Sequence, residues 1–122
     1  MPESGADHIK IEASEVASGV WELKIEGSLD WSNFAKVETV IEGIFRKGVY
    51  KLIVNLRATK YISSAGFGCF ISSLDTAMKN NGDLVFAATP PEIQDVFNIL
   101  GLSKILRFAD DEKAALALFA KK

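Results

Sequence analysis

The chain has 122 residues, enough for one domain with a hydrophobic core and too few for two ordinary ones. A hydrophobic fraction of 48% and a charged fraction of 25% exclude the disordered and fibrous classes. The net charge of -2, from 16 acidic and 14 scattered basic residues, leaves no cationic stripe for nucleic acid.

Met1 to His8 is polar and lacks the basic start and apolar stretch of a signal peptide, so a flexible tail 1-8 ahead of a domain over 9-120 is expected. No apolar run approaches the roughly 20 residues of a membrane-spanning helix, and the lone Cys69 allows no internal disulfide. A soluble, cytoplasmic protein without membrane insertion is the expectation.

Trp21, Leu23 and Ile25 alternate with Glu22, Lys24 and Glu26, which predicts a strand with one buried face. Ile9 to Ile11 is a weaker strand that can pair with it across Ser18-Gly19. Ser32 is placed to cap a helix with Phe34, Val37, Val40, Ile41, Ile44 and Phe45 on one side, ending near Gly48. Leu52 to Leu56 is an almost unbroken apolar run, as in a strand buried on both faces.

Phe67, Phe70, Ile71, Leu74, Ala77 and Met78 predict a helix from about Gly66, stopped by Asn80-Asn81-Gly82. Leu84 to Ala88 is a second central strand. Thr89 as cap, Pro90 at the first helical position and Glu92 open the next helix, with Ile93, Val96, Phe97 and Leu100 inside and Gly101 at its end. A short strand over Ile105 to Phe108 precedes a helix opened by Asp110 or Asp111 and faced by Ala115, Leu118 and Phe119. The order predicts an α/β domain: a mixed sheet of about four to five strands packed with about four α-helices.

Catalytic motifs fail on particular residues. Ala65-Gly66-Phe67-Gly68 has Ile71 where a dinucleotide fingerprint needs glycine and lacks the Gly-Lys-Ser/Thr of a triphosphate loop. Ile62 stands where a nucleophile elbow around Ser64 needs glycine, and the single histidine, His8, is in the tail without metal-ligand companions. Cys69 lies in an apolar helical run and reads as core filler. Asp110, Asp111 and Glu92 sit where helices begin, which their interaction with the helix dipole explains. No enzyme, cofactor or metal site emerges.

Ser63 and Ser64, just before Gly66, admit two readings. One of them is simply an N-cap, or a phosphate attached there is held by the N-H groups and positive end of the helix.

Several short segments in order are similar to the bacterial anti-sigma-factor antagonists of the STAS domain family. They are Glu26-Gly27-Ser28-Leu29-Asp30, Leu52 to Leu56, Tyr61-Ile62-Ser63-Ser64-Ala65-Gly66-Phe67-Gly68, Asn81-Gly82-Asp83-Leu84-Val85, Phe97 to Leu102 and Ile105 to Phe108. The resemblance runs from about Ile9 to Phe119 and implies a single STAS-like domain that works by partner switching. An unmodified antagonist of this kind binds an anti-sigma factor that is also a serine kinase, phosphorylation releases it, and a PP2C-type serine phosphatase restores binding. The acceptor matches Ser64, and Asp30, Ser63, Ala65, Gly66 and Phe67 fall on the implied partner-binding surface. Two departures stand out, since Ser63 occupies a position where the family usually has aspartate, and Ala65 one where it usually has a second hydroxyl. A constitutive STAS scaffold subunit without the switch is the alternative reading, and an enzyme using the crevice at the strand ends is a third.

Overall fold

Alternating side chains and a glycine turn build the first unit. Ile9–Ala17 (β1) and Val20–Leu29 (β2) pair antiparallel, with Gly19 at a φ of 75° between them, in a computed structural model that describes residues 9–120. The expected tail 1-8, with His8, lies outside the described residues, as do Lys121 and Lys122. β1 runs well past Ile11, and its stretch from Glu12 to Glu15 is exposed, so no apolar alternation announces it.

The chain then crosses repeatedly between strand and helix. Phe34–Arg46 (α1) leads to Lys51–Asn55 (β3), Thr59–Ile62 (β4), Ser64–Lys79 (α2), Asp83–Ala87 (β5), Pro91–Ile99 (α3), a 3₁₀ turn over Leu102–Lys104, Arg107–Ala109 (β6) and Glu112–Ala120 (α4). The sheet order is β1-β2-β3-β5-β6, with β4 alongside the far end of β2; only the β1–β2 pair is antiparallel. The α/β mixed sheet with four helices matches the expectation. Its six strands exceed the expected four to five, because β4 is four residues long and buries only its ends, Thr59 and Ile62.

Strand alternation sorts the core into two layers. Leu23, Ile25, Leu52, Val54, Leu84 and Phe86 face α1, α2 and α3, where they meet Ile41, Phe70 and Phe97. Val20, Ile53, Val85 and Ala87 face α4 and its Ala115. Fully burying each such side chain contributes about 1.5 to 3 kcal/mol, so the larger layer dominates stability. β3 and β5 are covered on both sides, which is why their runs are apolar without a break.

Two helices bury different stripes from those expected. On α2, Ile71 and Met78 are exposed, while Gly66, Cys69 and Ser73 are buried beside Phe67, Phe70, Leu74 and Ala77. The buried arc is turned toward the small residues, which let a neighbouring element approach closely. On α3 only Ile93 and Phe97 are buried; Val96 lies at the edge of the stripe, and Leu100 follows the last helical residue.

Helix starts also differ in detail. Asn33, not Ser32, precedes α1, Ser63 precedes α2, and Pro91, not Pro90, is the first residue of α3. Thr89 does not cap α3; its hydroxyl is buried without a hydrogen-bond partner among the described residues. Asp111 does start α4, its Oδ1 accepting the Ala114 N–H at 2.8 Å.

Candidate functional site

Two chain segments meet where β2 and β4 end. The Leu29 carbonyl accepts the Ser63 N–H at 2.8 Å, which fastens the turn after β2 to the start of α2. The sequence Tyr61 to Gly66 is therefore less a turn than a direct strand-to-helix step: Ile62 ends β4, Ser63 is the only intervening residue, and Ser64 opens α2.

Asp30 organises the first segment. Its Oδ1 accepts the Ser32 N–H at 2.9 Å and the Ser32 hydroxyl at 2.6 Å. Its own N–H donates to Asn33 Oδ1 at 2.9 Å, and Asn33 Nδ2 donates to the Ser28 carbonyl, also at 2.9 Å. Asn33 is 1% exposed, so these bonds replace the water it gave up. Short side chains that bond nearby backbone favour turns in this way.

Ser64 is exposed at the first helical position of α2. Ser63, with φ -83° and ψ 173°, has cap geometry but makes no side-chain cap bond, and its Oγ is buried without a hydrogen-bond partner among the described residues. A helix start carries N–H groups with no intrahelical partner and a partial positive charge. Here no side-chain cap occupies that end.

The remaining expected site residues divide. Ala65 is half-buried beside Ser64. Gly66 is buried, and a Cβ there would meet Ile62 Cγ2 at 2.8 Å and Leu29 Cγ at 2.9 Å, so its smallness lets α2 sit on the two strand ends. Phe67 is buried, its ring edge-on to Phe97 with centroids 4.9 Å apart. It supports the site from behind and is not presented at the surface.

Sequence reasoning missed two aromatic residues. Trp31, next to Asp30, is 78% exposed, and Tyr61 on β4, paired with Ser28, is 55% exposed. Trp31 lies inside a polar turn, which was the available signal; Tyr61 was read only as part of the segment Tyr61 to Gly68, because its strand was not recognised.

Cys69 is buried, and burial, followed by the negative charges of Glu38 and Glu42 nearby, pushes its thiol up to about 12. A thiol so far from ionisation is inert as a nucleophile. No group of three or more His, Cys, Asp or Glu side chains that could hold a metal ion occurs among the described residues. No helix among them is long and apolar enough to cross a membrane.

Residues 13–115 match the family model of the STAS domain. The chain is 28% identical over 86 residues to an anti-sigma-B factor antagonist of Staphylococcus epidermidis, covering 70% of this chain and 80% of that protein. In structure it is similar to an anti-sigma factor antagonist from Mycobacterium paratuberculosis, with a TM-score of 0.85 at 19% identity over 98% of this chain and all (100%) of that one. It also resembles SpoIIAA, a Bacillus cell-fate determinant. The unphosphorylated form gives a TM-score of 0.75 at 17% identity, covering 93% of this chain and 100% of the other. The phosphorylated form gives 0.72 at 18%, covering 89% and 99%.

Proposed function

The chain belongs to the STAS domain family, and on that premise we propose that it is an anti-sigma-factor antagonist whose binding is switched by phosphate on Ser64. In this reading the unmodified protein acts in the cytoplasm as a binding module, not an enzyme. It engages an anti-sigma factor that is also a serine kinase, and so frees a sigma factor for transcription. ATP belongs to the kinase, and a PP2C-type serine phosphatase returns the protein to its binding state.

The observation that carries the proposal is the exposed Ser64 hydroxyl at the first position of α2, where no side-chain cap is in place. A phosphate there is stabilised by free N–H groups and the helix dipole, so the modification need not unfold the domain. SpoIIAA supports this, since its two phosphorylation forms both share the present fold. The phosphate adds roughly -1.5 to -2 charges to a surface beside Asp30. Repulsion and desolvation on that scale, about 2 to 4 kcal/mol, weaken binding by roughly 30-fold to 1000-fold.

Binding of the purified anti-sigma kinase to three forms of the chain tests this. Unmodified protein and Ser64→Ala should bind alike, Ser64→Ala should resist modification, and Ser64→Glu should lose at least about 30-fold in affinity. Equal binding by Ser64→Glu sinks the switch.

The second reading, a constitutive STAS scaffold subunit of a signalling or transport complex, draws support from Ser63 and Ala65, which stand where the family usually has an aspartate and a second hydroxyl. Intact-mass measurement after incubation with ATP and the kinase separates the two: no added phosphate favours the scaffold.

A further inference from the structure

The sheet begins at β1, a strand of nine residues, and ends at β6, which has three. Among the described residues no strand lies on the outer side of β1, so the N–H and C=O of alternate residues along it point away from the sheet. A long open edge is a template for another strand, and β6 is too short to be one.

The side chains of this edge carry an ordered pattern of charge. Lys10, Glu12 and Ser14 are exposed on one face of β1, while Ile9, Ile11 and Ala13 lie on the other. In the β1–β2 register Lys10 stands opposite Glu26 and Glu12 opposite Lys24, so signs alternate both along and across the two strands. Ile9 and Ile11 pack on the main core but are only partly buried. Ala13 is exposed although its partner in register, Leu23, is fully buried. The helices stop short of β1 and leave an apolar margin beside its open edge.

We propose that β1 pairs antiparallel with β1 of a second copy of this chain, about a two-fold axis at Ile11, and so joins two sheets into one. In that register Lys10 meets Glu12 of the second copy, Glu12 meets Lys10, Ile11 meets Ile11 and Ile9 meets Ala13. One row then runs Glu26, Lys10, and Glu12 and Lys24 of the second copy, with the sign changing at every step across four strands. On the other face Ile25 and Ile11 meet the same two residues of the second copy, which extends the apolar margin of each across the seam.

Charge selects this register among those that a two-fold axis allows. An axis at Lys10 sets lysine against lysine, and an axis at Glu12 sets glutamate against glutamate, which destabilises a strand pair. An axis at Ala13 sets Glu12 against Ser14, with no opposite charge to meet. The break in register between Glu15 and Ala17 limits the flat stretch to the part of β1 that the Ile11 axis uses. Because each copy offers the same patch, the contact closes on itself as a dimer.

Sedimentation equilibrium of the full chain tests the dimer, which a single strand pair makes weak and measurable at about 0.1 to 1 mM. Lys10→Glu and Glu12→Lys each turn both charged contacts into like pairs, so either alone should weaken association at least about tenfold. Mixed in equal amounts, the two variants should recover it, because each supplies the charge that the other lacks. Ile11→Cys should crosslink to itself on oxidation, since directly opposite residues hold their Cα atoms about 4.5 to 5.5 Å apart, within disulfide reach. Ala13→Cys, which meets Ile9, should crosslink far more slowly. Cys69, buried with its thiol pushed up to about 12, stays out of this reaction. A parent chain that is monomeric at about 1 mM, single variants that associate like the parent, a mixture that does not recover, or equal crosslinking at the two positions overturns the proposal.

Discussion

Asn33 shows how one side chain can set a site it does not itself form. Buried at 1% exposure, it accepts from the Asp30 N–H and donates to the Ser28 carbonyl, holding the turn that carries Asp30 and Trp31. Asn33→Ala removes the side-chain partner of two part-buried backbone groups, at up to about 1 to 3 kcal/mol for each one left unsatisfied. Urea unfolding should show a loss within that range, and partner binding should weaken as Asp30 loses its orientation. An unchanged midpoint would falsify the role given to Asn33. The sequence marked Ser32 as the cap of α1 because serine is a good one; Ser32 instead bonds to Asp30, and the buried neighbour closes the turn.

At the scale of elements, α2 is the one whose start matters. Ser63 has the backbone of a cap, but its hydroxyl makes no bond. Removing a capping hydroxyl ordinarily costs about 1 kcal/mol, whereas deleting a buried, unsatisfied one relieves a desolvation penalty. Ser63→Ala should therefore leave thermal stability unchanged or raise it by up to about 1 kcal/mol. A loss of about 1 kcal/mol in calorimetry would show that Ser63 caps α2 after all. The start of this helix was read two residues late, at Gly66, because Ser64 and Ala65 contribute nothing to the apolar period. The helix and its inner Phe67, Phe70, Leu74 and Ala77 were legible, since four side chains at that spacing can share a face in no other regular structure. The exposure of Ile71 and Met78 was not legible: the stripe is centred by how closely a neighbour approaches Gly66, Cys69 and Ser73, which the chain alone does not state.

Across the whole molecule, the proposed switch and the fold are separable. Ser64 is exposed, while the large core layer under α1, α2 and α3 is not touched by it. Phosphorylated and unmodified proteins should accordingly unfold within about 1 kcal/mol of each other in urea, with the same slope. A change of slope would mean that phosphate alters the compactness of the native or unfolded state, and the switch would then act through the fold and not by surface charge.

The sequence by itself determined the α/β order, the apolar central strands, most helices and the serine at the start of α2, because these depend on local period and turn chemistry. Even the segments shared with the STAS family are short and contiguous. Tertiary structure alone decided the rest. It added β4, a four-residue strand stabilised by the edge of β2 and not by its own pattern. The Ser63–Leu29 hydrogen bond joined the end of β2 to the start of α2, across a separation in sequence that no period encodes. And it turned Glu22 from a surface acid into a buried one, because a second layer of helix over a strand changes what its polar face is facing.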